Sequence, residues 1–278
     1  MSRPEDLKDR IDNIHEIGNI VSTLQALATA HMLEVRTYLK SIRTHEANIA
    51  SALSTALSLI AAEPASPAGP GVAVVVGAAQ GFCGGYSDRL VEAALAEAAE
   101  DCAIMVIGSR TIGALVERGI TPIWSDEMAP HGRDVPRLAT RLADAIFAHL
   151  VVTPGATVTI LFADPAGAPS AVVRRSMLPF DFSRFPPSDG KDVLITQPAA
   201  NLLEALVEEY VFAEVCEALM LGFAAENAAR AETMSRAKSN VSRIAANLKG
   251  EHQRARQEQM TTEIIELSAA AGARPLSK

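Results

Sequence analysis

The sequence predicts an α/β fold in which N- and C-terminal helices form a long antiparallel coiled coil around an inserted Rossmann-like α/β domain. The chain runs 76 residues, Ala199 to Arg274, without a proline. A continuous helix there would be roughly 110 Å long at about 1.5 Å per residue. In contrast, 13 of the 15 prolines and 13 of the 17 glycines lie from Pro64 to Pro198. We therefore expect three segments, residues 1–63, 64–198 and 199–278.

The first helix keeps a seven-residue hydrophobic repeat. From Glu5 to Glu63 only Gly18 interrupts the helix-forming composition. One position of the repeat is apolar throughout: Leu7, Ile14, Val21, Ala28, Val35, Ile42, Ile49 and Ala56. A repeat of seven kept over this length indicates a left-handed coiled coil.

The last helix carries a matching apolar seam, which is interrupted at Asn227 and Arg230. Its members are Leu206, Ala213, Cys216, Met220, Phe223, Met234, Ala237, Val241, Ile244, Leu248 and Ala255. Because both helices belong to one chain, we expect them to pair with each other as an antiparallel hairpin. The second helix is longer, so we expect its tip to stand unpaired.

The middle segment alternates strand and helix patterns, which indicates a mostly parallel, Rossmann-like sheet. The predicted strands are Val72–Val76, Ala103–Ile107, Thr121–Trp124, Thr157–Ala163 and Ala171–Leu178. The predicted helices are Ser87–Asp101, Ser109–Arg118 and Val135–Leu150.

Composition restricts the class of protein. The three cysteines, Cys83, Cys102 and Cys216, show no metal or disulfide spacing, which favours a reducing compartment with buried thiols. No apolar run of 18 residues lacks charge, so we expect no membrane span. The first ten residues have no apolar signal core. We expect a cytoplasmic, bacterial protein.

Charge is distributed unevenly along the last helix. The net charge of −8 argues against nucleic-acid binding. Six acids and no base lie between 199 and 226: Glu204, Glu208, Glu209, Glu214, Glu217 and Glu226. A basic collar follows: Arg230, Arg236, Lys238, Arg243 and Lys249, with Arg254 and Arg256 beyond it. Such runs are usually solvated faces; on a projecting helix, the collar is better suited to an acidic partner.

The end of the last helix is an apolar tip. Its large apolar residues are Met260, Ile264, Ile265 and Leu267. Exposed apolar stripes of this kind on a projecting helix are typical of interfaces.

The residues offer no convincing catalytic or metal site. Gly81, Gly84 and Gly85 follow the first strand, where α/β folds place phosphate loops, but the pattern is neither G-x-G-x-x-G nor a P-loop. We expect these glycines to permit a tight turn and close helix–strand packing. The six histidines form no ligand pair of metal spacing. We expect no cofactor and no metal.

Two motifs resemble the gamma subunit of the F-type rotary ATP synthase. After the first strand, Gly81 to Tyr86 reads G-F-C-G-G-Y, similar to the family's G-L-C-G-G-[FLY]. The second motif begins at Glu226 to Arg230 (E-N-A-A-R), continues with Met234 and Arg254 to Gln257, and ends at Thr261 to Leu267. It resembles E-x-A-A-R…M…R-x-R-Q-x-x-I-T-x-E-L-x-E-I in order and spacing.

The resemblance implies a non-catalytic rotor shaft. The coiled coil would fill the alpha/beta hexamer, and the middle domain would rest on the membrane c-ring beside epsilon, at the cytoplasmic face of the bacterial inner membrane. Rotation driven by ion flow would cycle the beta sites. By resemblance, the residues expected to contact the beta subunit are Arg254, Arg256, Gln257, Thr261 and Glu263. A foot near the ring would include Val193, Ile195 and Thr196.

Some positions depart from the family pattern, and two other functions compete with the shaft. The family's lysine-rich stretch T-K-A-M-x-M-V-A-x-S-K is replaced by residues 22–31, which lack lysine. The first rival is a Rossmann-type nucleotide-using enzyme with helical arms. The second is a coiled-coil adaptor, which would form homodimers through its long helices.

Overall fold

The computed structural model describes residues 4–60, 69–100, 102–166, 171–186, 188 and 194–272, with side chains as far as residue 268. It is an α/β protein with a mixed sheet and a long C-terminal helix. The helices and strands, in chain order, are α1 (Pro4–Leu57), β1 (Gly71–Val76), α2 (Tyr86–Ala99), β2 (Ala103–Ile107), α3 (Ser109–Glu117), β3 (Trp124–Asp126), α4 (Val135–Val152), β4 (Thr157–Ala163), β5 (Val172–Leu178) and α5 (Ala199–Gly272).

The predicted elements are present, and β2 and β4 match the prediction residue for residue. The strand predicted at Thr121–Trp124 is wrong in position, because β3 begins at Trp124 and pairs its three residues with Met105 to Ile107. Pro122 has no N–H to donate to a ladder. Pairing therefore starts after it, where the Ile123 amide donates to the Ile104 carbonyl at 2.8 Å.

The five strands lie in the order β3-β2-β1-β4-β5. All neighbours are parallel except β5, which runs antiparallel to β4. The first βα turn, from the end of β1 to the start of α2, therefore lies near the centre of the sheet. In α/β folds, the carboxyl edge of the central strands is where ligands usually bind.

Alternate residues of β1 face two different hydrophobic clusters, as the two-residue period of a strand requires. Val72, Val74 and Val76 pack in the larger cluster, to which α1, α4 and α5 contribute. Ala73 and Val75 pack in the second, against α2 and α3. Strand β1 is thus covered on both faces, which explains its unbroken apolar sequence.

Helix α5 is buried on every side over part of its length. All residues from Ala213 to Asn227 are buried, including Glu214, Glu217 and Glu226. The helix approaches β1 closely at Gly222, where an added Cβ would lie 2.4 Å from Val76 Cγ1. A residue without a side chain is therefore required at this contact.

The described chain divides into two compact units. One is Ala28–Ala231, which holds the sheet and the clusters around it. In the other, which combines residues up to Leu27 with residues from Glu232 onwards, Leu7, Ile11 and Leu248 are buried together. Each long helix contributes to both units.

The ends of the long helices differ from the predicted segments. Helix α1 ends at Leu57, before the expected boundary at residue 63, and α5 ends at Gly272. Residues 61–68 and 273–278 lie outside the described residues. The boundaries of the three segments remain predictions.

Two glycines within α5 offer a matched test of this packing. Gly222→Ala should lower the free energy of unfolding by about 1–3 kcal/mol, because Val76 is a stiff, fully buried side chain that cannot move aside. Gly250→Ala, with nothing within 4 Å of the added Cβ, should raise it by about 0.5–1 kcal/mol through helix propensity. Denaturant unfolding followed by circular dichroism measures both. Equal effects of the two substitutions would contradict the close approach of α5 to β1.

Candidate functional site

The first βα turn is held by the side chain of a glutamate from α5. One carboxylate oxygen of Glu226 accepts from the amide of Gln80 at 3.0 Å, and the other accepts from the amide of Ala79 at 3.2 Å. These amides follow β1, where a phosphate would bind in a nucleotide-binding fold. The carboxylate of Glu226 thus supplies a negative charge at these two amides.

Arg230 completes this network from the next turn of α5. It pairs with Glu226, donates from Nη1 to Asn227 Oδ1 at 3.0 Å and donates from Nε to the Gly81 carbonyl at 3.2 Å. Arg230 is buried, with 7% of its surface exposed, and so is Asn227. The prediction that Arg230 belongs to an exposed basic collar is therefore wrong, because its charge is neutralised inside the protein.

Positive φ angles and side-chain hydrogen bonds define the conformation of the glycine-rich turn. Phe82 and Gly84 both have positive φ, of 63° and 56°. The Cys83 thiol donates to the Gln80 carbonyl at 3.2 Å and accepts from Arg230 Nη2 at 3.3 Å. Burial raises the pKa of Cys83 to about 11, so the thiol stays protonated and can donate. The expectation that the glycines serve a tight turn agrees with this geometry.

The neighbouring helix N-terminus is also engaged by the protein itself. The amides of Arg110 and Thr111, at the start of α3, donate to the Ala78 carbonyl, and the Thr111 hydroxyl accepts from the Ala78 amide at 2.9 Å. A cleft of about 290 Å³ lies beside these groups, and Glu226, Asn227 and Arg230 form part of its wall. The amides of Ala79, Gln80, Arg110 and Thr111 already have protein partners, which disfavours a nucleotide phosphate bound to them.

The other two buried acids of α5 are paired with arginines as well. Glu217 Oε1 accepts from Arg43 Nε of α1 at 2.8 Å, and Oε2 accepts from Arg175 Nη1 of β5 at 2.9 Å. Burial alone would raise the pKa of Glu217, but the hydrogen bonds from the two arginines outweigh it and lower the pKa. Glu214 accepts from Arg184 Nη2 at 2.8 Å. Only Glu204, Glu208 and Glu209 of the six acids are exposed.

The rest of the basic collar is exposed. Its four remaining members are Arg236, Lys238, Arg243 and Lys249. Arg236 pairs with Glu232 one turn away, and Arg243 donates to Asn240 at 2.7 Å. These are exposed contacts within one helix, so the charged groups remain accessible to a partner.

The candidate contact residues near the end of α5 are exposed too. The polar group comprises Arg254, Arg256, Gln257, Thr261 and Glu263. Within it, the Thr261 hydroxyl donates to the Gln257 carbonyl at 2.8 Å, and Gln259 donates to Glu263 at 2.9 Å. The apolar tip is also solvent-facing: Met260, Ile264, Ile265 and Leu267 are 57–70% exposed. The helix thus presents both chemistries to solvent in the order that the sequence predicts.

The expected foot is described only in part. Val193 lies outside the described residues. Ile195 is half-buried, Thr196 is exposed and the neighbouring Leu194 is 92% exposed. The segment therefore offers an apolar side chain to solvent immediately before α5.

Two structural features are absent from the described residues. These residues contain no group of three or more His, Cys, Asp or Glu side chains placed to hold a metal ion. No helix among them is long and apolar enough to cross a membrane.

Known proteins resemble the whole of this architecture. A family model described as ATP synthase matches residues 3–273. The ATP synthase gamma chain of Saccharopolyspora erythraea is 25% identical in an alignment that covers 96% of each chain. That of Erythrobacter litoralis is also 25% identical, over 98% of this chain and 100% of the relative.

The chain belongs to the ATP synthase gamma-chain family. Its function is that of the family, the rotor shaft of an F-type ATP synthase, and it is not catalytic, because catalysis occurs in the beta subunits. The resemblance found in the two sequence motifs is confirmed.

Solved structures agree with the gamma-chain fold. A chain of the Euglena gracilis mitochondrial ATP synthase, in a structure of its OSCP, F1 and c-ring, aligns with a TM-score of 0.63 at 14% identity, over 99% of this chain and 97% of that one. A chain of the Tetrahymena thermophila central stalk and c-ring aligns with a TM-score of 0.56 at 15% identity, over 78% of this chain and 99% of that one.

Glu226 has a role that the charge pattern does not reveal. In the sequence alone, Glu226 is only one of six acids of the last helix, although its four-residue spacing from Arg230 permits a pair on one helix face. Position in the family motif is the other available signal. Neither signal specifies the amides of the turn as its partners.

Glu226→Gln tests whether the carboxylate holds the turn in this gamma-chain fold. The substitution keeps the shape but leaves Arg230 buried without its counter-charge, which should cost about 3–5 kcal/mol of unfolding free energy. Hydrogen exchange of residues 79–85 should accelerate, as measured by mass spectrometry. The control is Glu232→Gln, which breaks an exposed pair of the same spacing and should cost less than about 0.5 kcal/mol. Equal losses for the two variants would contradict the role given to Glu226.

Proposed function

We propose that this shaft turns inside a hexamer of alternating alpha and beta subunits, with α1 and α5 paired as an antiparallel coiled coil. The packing of Leu7 and Ile11 with Leu248 supports such pairing, since all three are buried in one cluster and Leu7 and Leu248 are seam residues. Gly18 also lies against Val241, with an added Cβ 3.3 Å from its Cγ1. Contacts therefore run from residues 7–18 of α1 to residues 241–255 of α5.

The observation that carries the proposal is the exposed end of α5. It presents a basic surface, then Arg254, Arg256 and Gln257, then the apolar tip, all on one helix and all facing solvent. The basic groups suit acidic segments of the beta subunits, and Thr261 and Glu263 would contact the same subunit. The apolar tip would turn in an apolar sleeve, where few directional contacts oppose rotation.

The other partners would bind the α/β domain. The foot, with Ile195, Thr196 and the exposed Leu194, would lie near the c-ring, beside the epsilon subunit. Ion flow through the ring would turn the shaft, at the cytoplasmic face of a bacterial inner membrane. Each angle of the shaft would stabilise one conformation of each beta site over the others, which is how rotation and chemistry become linked.

Reconstitution tests the assembly directly. The purified chain, mixed with alpha and beta subunits encoded by the same organism, should form one complex with a single copy of the shaft. That complex should hydrolyse ATP with rotation of a probe attached to the chain. A homodimer that binds neither subunit would overturn the proposal and favour the coiled-coil adaptor. Tight one-to-one binding of ATP or NAD to the isolated chain, measured by calorimetry, would favour the enzyme.

The contact residues have their own test. Reversing both charges with Arg254→Glu and Arg256→Glu should weaken assembly at least about tenfold, because like charges placed together at an interface cost several kcal/mol. Titration of the hexamer with the labelled shaft measures this. The matched control reverses Arg133 and Arg137, which are exposed on the α/β domain. Unchanged assembly and ATP hydrolysis in the first variant would mean that these arginines are only solvated.

A further inference from the structure

Glu217 lies where three elements meet. It is 6% exposed on α5, and each of its carboxylate oxygens binds a different arginine, Arg43 from α1 and Arg175 from β5. Arg175 is itself fixed, because its guanidinium lies 5.0 Å from the ring centroid of Phe162 on β4. One buried carboxylate thus connects both long helices to the sheet.

These contacts are directional. Charge-assisted hydrogen bonds hold a narrow range of distance and angle and are about twice as strong as neutral ones. Apolar contacts, in comparison, lack a preferred direction. The neighbouring side chains of α5 itself include the small or aliphatic Ala213, Ala218 and Leu219, which pack in the larger hydrophobic cluster. Packing of that kind keeps the helix buried, whereas the ion pairs specify its angle about its own axis.

A second buried carboxylate repeats the arrangement one turn earlier. Glu214 is 2% exposed and binds Arg184, which also donates to the Tyr210 hydroxyl at 2.9 Å. Tyr210 in turn donates to Glu46 of α1 at 2.8 Å. Helix α5 is therefore connected to α1 directly through Tyr210, and to the segment after β5 through Arg184.

We propose that Glu217, with Arg43 and Arg175, is the torsional joint of the shaft, a positioning residue that prevents α1 and α5 from twisting against the sheet. The inference rests on the proposed function, since such a joint matters where torque passes between the helices and the α/β domain. Glu217 lies outside both motifs that carry the family resemblance. The joint is thus read from the contacts of this chain alone.

Single-molecule rotation of the assembled complex tests the joint. The hexamer is fixed to a surface, and a rod is attached to the α/β domain through Val151→Cys, a position 80% exposed. The angular variance of the rod during pauses reports the torsional stiffness of the shaft. Glutamine keeps only one acceptor oxygen, so one of the two arginine hydrogen bonds is lost and the other loses the carboxylate charge. Glu217→Gln should therefore raise the variance up to about twofold.

Two further variants keep the test independent of folding defects. Arg43, whose side chain is 57% exposed, can be replaced without leaving a deeply buried cavity. Arg43→Gln should raise the variance, and Arg43→Lys, which retains the charge, should restore part of the stiffness. Glu232→Gln, which breaks the exposed pair with Arg236, is the control and should leave the variance at the wild-type value.

The outcomes distinguish a failure of the proposed role of Glu217 from a failure of the proposed function. Variants that assemble, lose thermal stability and yet keep the wild-type variance would show a merely structural ion pair and overturn the inference. Equal variance in all variants would overturn it too. A wild-type chain that fails to assemble or rotate would overturn the proposed function, and the role of the joint in rotation with it.

Discussion

A helix that is buried on every side cannot leave an ionised side chain unpaired, and this constraint governs the centre of the molecule. Between Ala213 and Asn227 the helix α5 brings three carboxylates into the interior. Removing such charges from water costs several kcal/mol per ion unless geometry and hydrogen bonding compensate. Each carboxylate therefore has an arginine within hydrogen-bond distance, and those arginines come from α1, β5, the segment after β5 and α5 itself. Each of these elements thus contributes an arginine to the surroundings of α5.

The same constraint explains why a fold related to nucleotide-binding domains acts here as a support. The turn after β1 has the backbone amides that such folds direct at a phosphate, and Glu226 occupies them. An internal carboxylate supplies the negative charge that a ligand would bring. It also connects the turn to the shaft, which a diffusible ligand would not do. The glycine-rich sequence is thus compatible with nucleotide binding and with support of a shaft. The group bound at the amides distinguishes the two functions.

How much the sequence predicts depends on which signals are local. Strands β2 and β4 follow from short apolar runs, and the long helices follow from the confinement of proline to the middle of the chain. The error at β3 is local as well, since Pro122 delays pairing. Burial of charge is different, because it depends on what packs around the helix. Arg230 and Lys238 are equivalent as basic residues in the sequence, yet one is inside the protein and the other is in solvent. The apolar seam of α5 gives one signal, because Arg230 occupies a seam position and Lys238 does not, but it does not specify the partners that neutralise the buried charge.

A shaft needs opposite properties at different positions along α5, and its chemistry divides accordingly. Where the helix is attached to the sheet, buried ion pairs impose direction, although such pairs contribute less to net stability than apolar side chains of similar volume would. If stability were the only requirement, apolar side chains in place of both members of each ion pair would serve at least as well. Directional contacts at those positions make sense where angle must be maintained under load. Towards its end the helix presents Met260, Ile264 and Ile265 to solvent, and under the proposed function such apolar side chains would contact a partner without favouring one angle. Charged side chains in the buried segment would thus make the attachment stiff, whereas apolar side chains at the end of the helix would let it rotate smoothly.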